Sequence, residues 1–177
     1  MPRNNPYFDV PVASLEQDLE EISQGRPLEL EIGFGRAHFA LDLAKARPDH
    51  QILGLESRRK WVGLGRKRAQ MRELHNVELL FGDARVLLPT WGPDGSVHAV
   101  YVHFPDPWWK KRHAKRKVIS PESVAQIARL LEPGGTFLVQ TDVEERGLEY
   151  RRVLEGEPML VEIEGSAESP LDYNPLG

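Results

Sequence analysis

Between Phe104 and Val118 the chain reads FPDPWWKKRHAKRKV, joining a carboxylate, two prolines, two tryptophans and a basic run without interruption. Each proline fixes its own φ and drives the residue before it toward extended backbone, so Asp106 is held in a stiff, non-helical turn between Pro105 and Pro107. Lys110, Lys111, Arg112, Lys115, Arg116 and Lys117 follow with no acid among them. A chain of formal net charge −4 thus gathers six of its 23 basic residues in one place, the local footprint of a phosphate-binding surface. A solvated basic loop beside an ordinary turn is the alternative. The fusion of the run to a rigid acid at a strand end argues against it, because ligands of open α/β sheets bind just outside the carboxyl ends of strands.

The elements that must position this turn follow from periodicity. Val97 to Phe104 is rich in β-branched and aromatic residues and reads as a strand that delivers Asp106. Upstream, residues 1–27 form a lead with a short helix over Ser14 to Ser23, capped by Ser14. Leu28 to Ile32 (LELEI) alternates as a strand, Gly33-Phe34-Gly35 turns the chain, and Ala37 to Ala46 is a helix that Pro48 stops. Gln51 to Glu56 is the next strand, and Arg58 to Leu74 a helix that should bury Trp61, Leu64, Met71 and Leu74 while exposing Arg59, Arg66, Lys67 and Arg72 as a solvated face. Val77 to Phe81 is a strand ending in Gly82-Asp83-Ala84, with a short helix to Leu88. Ser120 caps a helix with Pro121 at its first position, Thr136 to Thr141 is a fifth strand ending at Asp142, and Glu144 to Leu154 is a helix. Met159 to Ile163 is expected as a sixth strand with an open edge, followed from residue 165 by an extended tail. Alternating strands and helices require a mostly parallel sheet covered on both faces, with residues 28–164 as the folded unit.

Composition narrows the chemistry. With 177 residues and no cysteine, the chain has no disulfide, no thiolate metal site and no cysteine nucleophile. Its six histidines form no recognisable ligand pair, so no metal is expected. No apolar run approaches membrane-spanning length and the first residues lack an apolar signal core, which points to a cytoplasmic chain. Monomer and homodimer are both compatible with the sequence.

Four successive strands end in a carboxylate (Glu56, Asp83, Asp106 and Asp142), and Glu31 precedes the glycine turn. Acids on one rim call for a ligand with hydroxyls, amines or positive charge. A nicotinamide dinucleotide is one reading, since Glu56 is placed to bind ribose hydroxyls. Its glycine fingerprint fails at the third position, which is His38, and Glu31 would crowd the pyrophosphate. S-adenosylmethionine fits better: its ammonium and sulfonium need acids, its ribose suits Glu56 and its adenine amine suits Asp83. A binding domain without catalysis is the third reading.

LELEIGFGRAHF, ILGLE, GDA, HFPDPWWKKRHAKRKV, LEPGG and QTD occur in the order and spacing of the tRNA (guanine-N7-)-methyltransferase family, which the chain resembles from Leu28 to Tyr150. The resemblance implies a Rossmann-like class I methyltransferase fold that uses S-adenosylmethionine on a guanosine in the variable loop of tRNA. By motif, Glu31, Gly33, Gly35, Glu56, Asp83 and Asp106 match cofactor-binding positions, with Asp106 also the catalytic acid. Lys110 and Asp142 match substrate-binding positions, and Arg112, His113, Lys115, Arg116 and Lys117 match the RNA-contacting segment. The family's Thr-Lys-Phe-Glu-like motif near the end does not occur in this sequence.

The chemistry of the residues agrees with that implication. Guanine N7 carries an in-plane lone pair and no proton, so its methylation needs alignment rather than a general base. Methylation at pyrimidine C5 would need a cysteine. Methylation of an exocyclic amine, often built on an Asp/Asn-Pro-Pro-aromatic turn, is the runner-up, and the basic tail after PDPW favours guanine N7. An RNA-binding module that has lost catalysis is the remaining alternative.

Overall fold

A computed structural model describes residues 9–106 and 117–163. Its elements run α1 (Leu19–Ser23), β1 (Leu28–Ile32), α2 (His38–Ala46), β2 (Gln51–Glu56), α3 (Arg59–Met71), β3 (Val77–Phe81), α4 (Ala84–Leu87) with a 3-10 turn at Leu88–Thr90, β4 (Val97–His103), α5 (Pro121–Leu130), β5 (Leu131–Gln140) and α6 (Glu144–Glu155). Every strand pair is parallel and the order is β3-β2-β1-β4-β5. Chain direction across the sheet therefore reverses between β1 and β4, which opens a crevice at their carboxyl ends.

Helices cover both faces, so β1 and β2 are buried along their whole length. The alternation of LELEI does not mark a solvent face. It puts two carboxylates inside. Glu29, fully buried, is satisfied: its Oε1 accepts from Arg47 Nη1 at 2.8 Å with His50 Nδ1 at 2.6 Å, and its Oε2 accepts from Tyr101 Oη at 2.6 Å. Glu31, two residues on, is not satisfied in this way, and that difference locates the site.

Four expectations are corrected. α1 starts at Leu19 with Asp18 as its cap, whose Oδ1 accepts from the Glu20 and Glu21 amides. The Ser14 hydroxyl only closes a local turn onto the Glu16 amide, and residues 11–13 pair with the edge of β3. α3 buries Val62, Gly65 and Ala69, while Met71 is 74% exposed and Trp61 lies half-buried in the crevice. The reason is close approach: a Cβ on Gly65 would lie 2.7 Å from Leu79 Cδ1 and 3.0 Å from the Ala37 Cβ, so only small residues fit that seam. β5 starts as early as Leu131 and takes Pro133-Gly134-Gly135 in as an irregularity. Regular pairing with β4 begins at Ala99↔Thr136.

Residues 159–163 form no strand. Leu160 N bonds back to Glu157 O, Arg151 holds Glu162 at 2.7 Å, and Val161 and Ile163 are 88% and 64% exposed. Among the described residues the sheet ends at β5, and the tail from 165 lies outside them.

Gly65→Ala tests the seam. Helix propensity alone favours alanine by about 1 kcal/mol, whereas overpacking costs about 1–3 kcal/mol. A lower urea midpoint than the parent is expected, and a higher one would mean that α3 does not approach β3 this closely.

Candidate active site

The crevice has a volume of about 520 Å3 and is walled by the ends of β1, β2, β3 and β4. Glu31, Gly33, Gly35, Glu56, Asp83 and Asp106 all line it. The structure brings together every candidate cofactor residue named from the sequence. Asp142, just past β5, is exposed and lies outside the lining. Lys110, Arg112, His113, Lys115 and Arg116, with Trp108 and Trp109, lie outside the described residues. Lys117 is described and turns toward α6, where its Nζ pairs with Glu149. Although burial opposes it, Lys117 and Arg146 hold the Glu149 carboxyl below its ordinary range.

The glycine turn gives the crevice its floor. Gly33 and Gly35 have φ of +78° and +50°, the left-handed region that side chains disfavour, and a Cβ on either would meet open space rather than protein. Their requirement is conformational. The turn is fixed from the end of β2, where Glu56 Oε2 accepts from the Gly35 amide and Oε1 from the Arg58 amide, both at 2.9 Å.

Glu31 sits deeper. It is 3% exposed, its Oε1 lies 3.4 Å from His103 Nδ1, and its Oε2 is buried without a hydrogen-bond partner among the described residues. Burial raises its carboxyl above the ordinary range, with His103 and the Ala40 amide opposing the rise. A buried carboxylate oxygen of this kind at the base of an open crevice is an acceptor within reach of a cationic or N–H donor on a ligand.

Asp83 caps α4 through the Arg85 amide at 3.1 Å and accepts from Arg85 Nε at 2.9 Å. The Arg85 guanidinium holds its carboxyl below the usual range. Asp106 is met by Arg58 Nη2 at 3.2 Å, with both side chains more than half exposed. Sequence reasoning missed four residues of the lining: Arg58, Trp61, Arg85 and His103. Trp61 fell to a misread helix stripe, and Arg58 and Arg85 each lie two residues past an acid that was singled out. His103 was visible only as part of a strand.

The residues present fit S-adenosylmethionine. Glu31 offers an unpaired acceptor for a cationic end, Glu56 has lone pairs left for ribose hydroxyls at the rim, and the turn leaves room where side chains would stand. The fold is that of Rossmann-like S-adenosylmethionine-dependent methyltransferases. The architecture resembles that of precorrin-6y C5,15-methyltransferase from Geobacter metallireducens, at 18% identity, with a TM-score of 0.59 over 79% of this chain and 62% of that one. A SAM-dependent O-methyltransferase from Thermotoga maritima, 17% identical, gives a TM-score of 0.57 over 77% of this chain and 45% of the other. A family model described as "Putative methyltransferase" matches residues 25–174. The tRNA (guanine-N(7)-)-methyltransferase of Chromobacterium violaceum is 37% identical over 99% of this chain and 78% of its own length. The chain belongs to the tRNA (guanine-N7-)-methyltransferase family. It spans 60% to 78% of the lengths of such relatives.

Glu31→Gln separates what the site costs from what it binds. Burial favours the neutral carboxyl, so that contribution to stability is complete below the ordinary value of 4.5 and is lost as pH rises through the elevated folded-state value. The amide should therefore melt higher than the parent at pH 7.5, with the gap closing toward pH 4. A variant that melts lower at pH 7.5 would show that Glu31 is satisfied in the folded protein.

Proposed function

We propose that this protein transfers a methyl group from S-adenosylmethionine to N7 of a guanosine in the variable loop of tRNA, in the cytoplasm. The observation that carries the reading is the orphaned Glu31 oxygen at the base of a crevice whose rim bears Glu56 and Asp106. When bound, S-adenosylmethionine supplies an electrophilic methyl on a sulfonium.

The chain's own residues then bind, orient and exclude. Glu31 accepts from the ammonium of the methionine end, and that contact removes the cost of its burial. Glu56 keeps its two backbone bonds and accepts ribose hydroxyls with its remaining lone pairs. Asp83, already neutralised by Arg85, faces the adenine side. The Arg58–Asp106 pair is exposed, so it contributes at most about 1 kcal/mol and opens readily. Asp106 is then released to accept from the N–H donors on the guanine edge, which adenine cannot match. N7 has no proton to lose, so the work of these groups is to hold the base in line with the methyl. Lys110 and Asp142 contact the guanosine, and Arg112, His113, Lys115, Arg116 and Lys117 hold the RNA backbone without reading sequence. Lys117 reaches a phosphate by leaving Glu149.

Mass spectrometry of nucleosides tests the reading, after tRNA is incubated with the protein and methyl-deuterated S-adenosylmethionine. Labelled 7-methylguanosine is expected. Label in an exocyclic amine of adenosine or cytidine would replace this reaction with the runner-up. Asp106→Asn should lower turnover about tenfold or more, a rise of about 1.4 kcal/mol in the barrier. Its melting temperature should be nearly unchanged, because the side chain is 55% exposed. Parental turnover in that variant would move the orienting role to Asp142.

A further inference from the structure

We propose that the outer face of α3 is a second contact surface for the RNA backbone, in addition to the 110–117 run. This rests on the reading of tRNA as the substrate. Residues 57–72 contain Arg58, Arg59, Lys60, Arg66, Lys67, Arg68 and Arg72 and no acid, in a chain with more acids than bases. Together with the run at 110–117, more than half of the chain's 23 basic residues lie in these two stretches.

Position argues against a merely solvated face. A helix N-terminus carries positive partial charge and favours acids in its first turn. α1, α5 and α6 obey, with Glu20 and Glu21, Glu122, and Glu144 and Glu145. α3 begins with Arg58, Arg59 and Lys60 instead, a placement that costs helix stability. That costly turn is also the end that reaches the crevice, since Arg58 and Trp61 line it.

The partners of these side chains divide them into two sets. Arg72 pairs with Asp42 at 2.7 Å and Arg68 donates to Arg36 O at 2.8 Å, so both are tied to α2 and its entry turn at a helix end that favours cations. Arg59 lies 4.2 Å over the Phe81 ring and Lys60 lies 5.4 Å from the Trp61 ring. Lys60, Arg66 and Lys67 are exposed and form no ion pair among the described residues. Val62, Gly65 and Ala69 face the sheet, which leaves these three cations on the outward side. Over its 13 residues the helix extends roughly 20 Å from the crevice, enough to follow several phosphates of one strand. A second cationic surface beside the crevice would fix the orientation of the RNA as well as its affinity, which one basic segment cannot do.

The test uses the triple variant Lys60→Gln, Arg66→Gln, Lys67→Gln. None of these residues lines the crevice. Its tRNA affinity should fall at least fivefold at moderate salt, with the log–log salt slope flatter by about 0.7–0.9 for each phosphate no longer neutralised. Calorimetric affinity for S-adenosylmethionine should match the parent. Lys60→Glu supplies a readout of opposite sign: an acid in the first turn should raise the melting temperature while tRNA binding weakens. Parental affinity and slope in the triple variant, with the parent methylating tRNA, would overturn the surface and leave the function standing. A parent that binds no tRNA would remove both.

Discussion

The crevice depends on one carboxylate. Glu56 ends β2 and is 7% exposed, yet it spends an acceptor on the Gly35 amide and another on the Arg58 amide. The first bond reaches across from β2 to the turn after β1, and the second sets the direction in which α3 leaves the sheet. Backbone amides donating to an ionised group make strong hydrogen bonds. This pair of bonds gives the glycine turn, with its two left-handed residues, a single position against the sheet. Phe34 rests beneath that turn, buried against the same cluster as Leu79 and Val62.

Within that frame the two acids of β1 divide the labour. Glu29 and Glu31 share a face of the strand and both are buried, but Glu29 is surrounded by Arg47, His50 and Tyr101 whereas Glu31 has one oxygen without a hydrogen-bond partner among the described residues. A buried acid with three partners supports the fold. A buried acid lacking one withholds stability until a ligand supplies it, and this is how a binding site can be recognised before any ligand is in place.

Five strands, their carboxyl ends and their parallel direction were legible because hydrophobic runs, glycine turns and terminal acids are local signals. The acids that line the crevice were legible for the same reason. What the sequence hid depends on contacts between distant segments. The stripe of α3 was misread because large apolar residues were assumed to face inward, while the close seam against Leu79 and Ala37 admits Gly65 and excludes them. Residues 159–163 have the pattern of a strand, but strand identity lies in pairing with a neighbouring strand, and these residues are not in strand conformation. Lys117 counted as one more cation of a basic run until the fold set Glu149 beside it.

The central claim is that Glu56 both shapes the crevice and receives the ribose of S-adenosylmethionine. Calorimetric titration of that ligand into the parent and into Glu56→Ala measures it directly. Hydrogen bonds to a charged group contribute about 1.5–3 kcal/mol, so affinity should fall about tenfold or more in the variant. Equal affinity in the two proteins would contradict the account and take Glu56 out of the site.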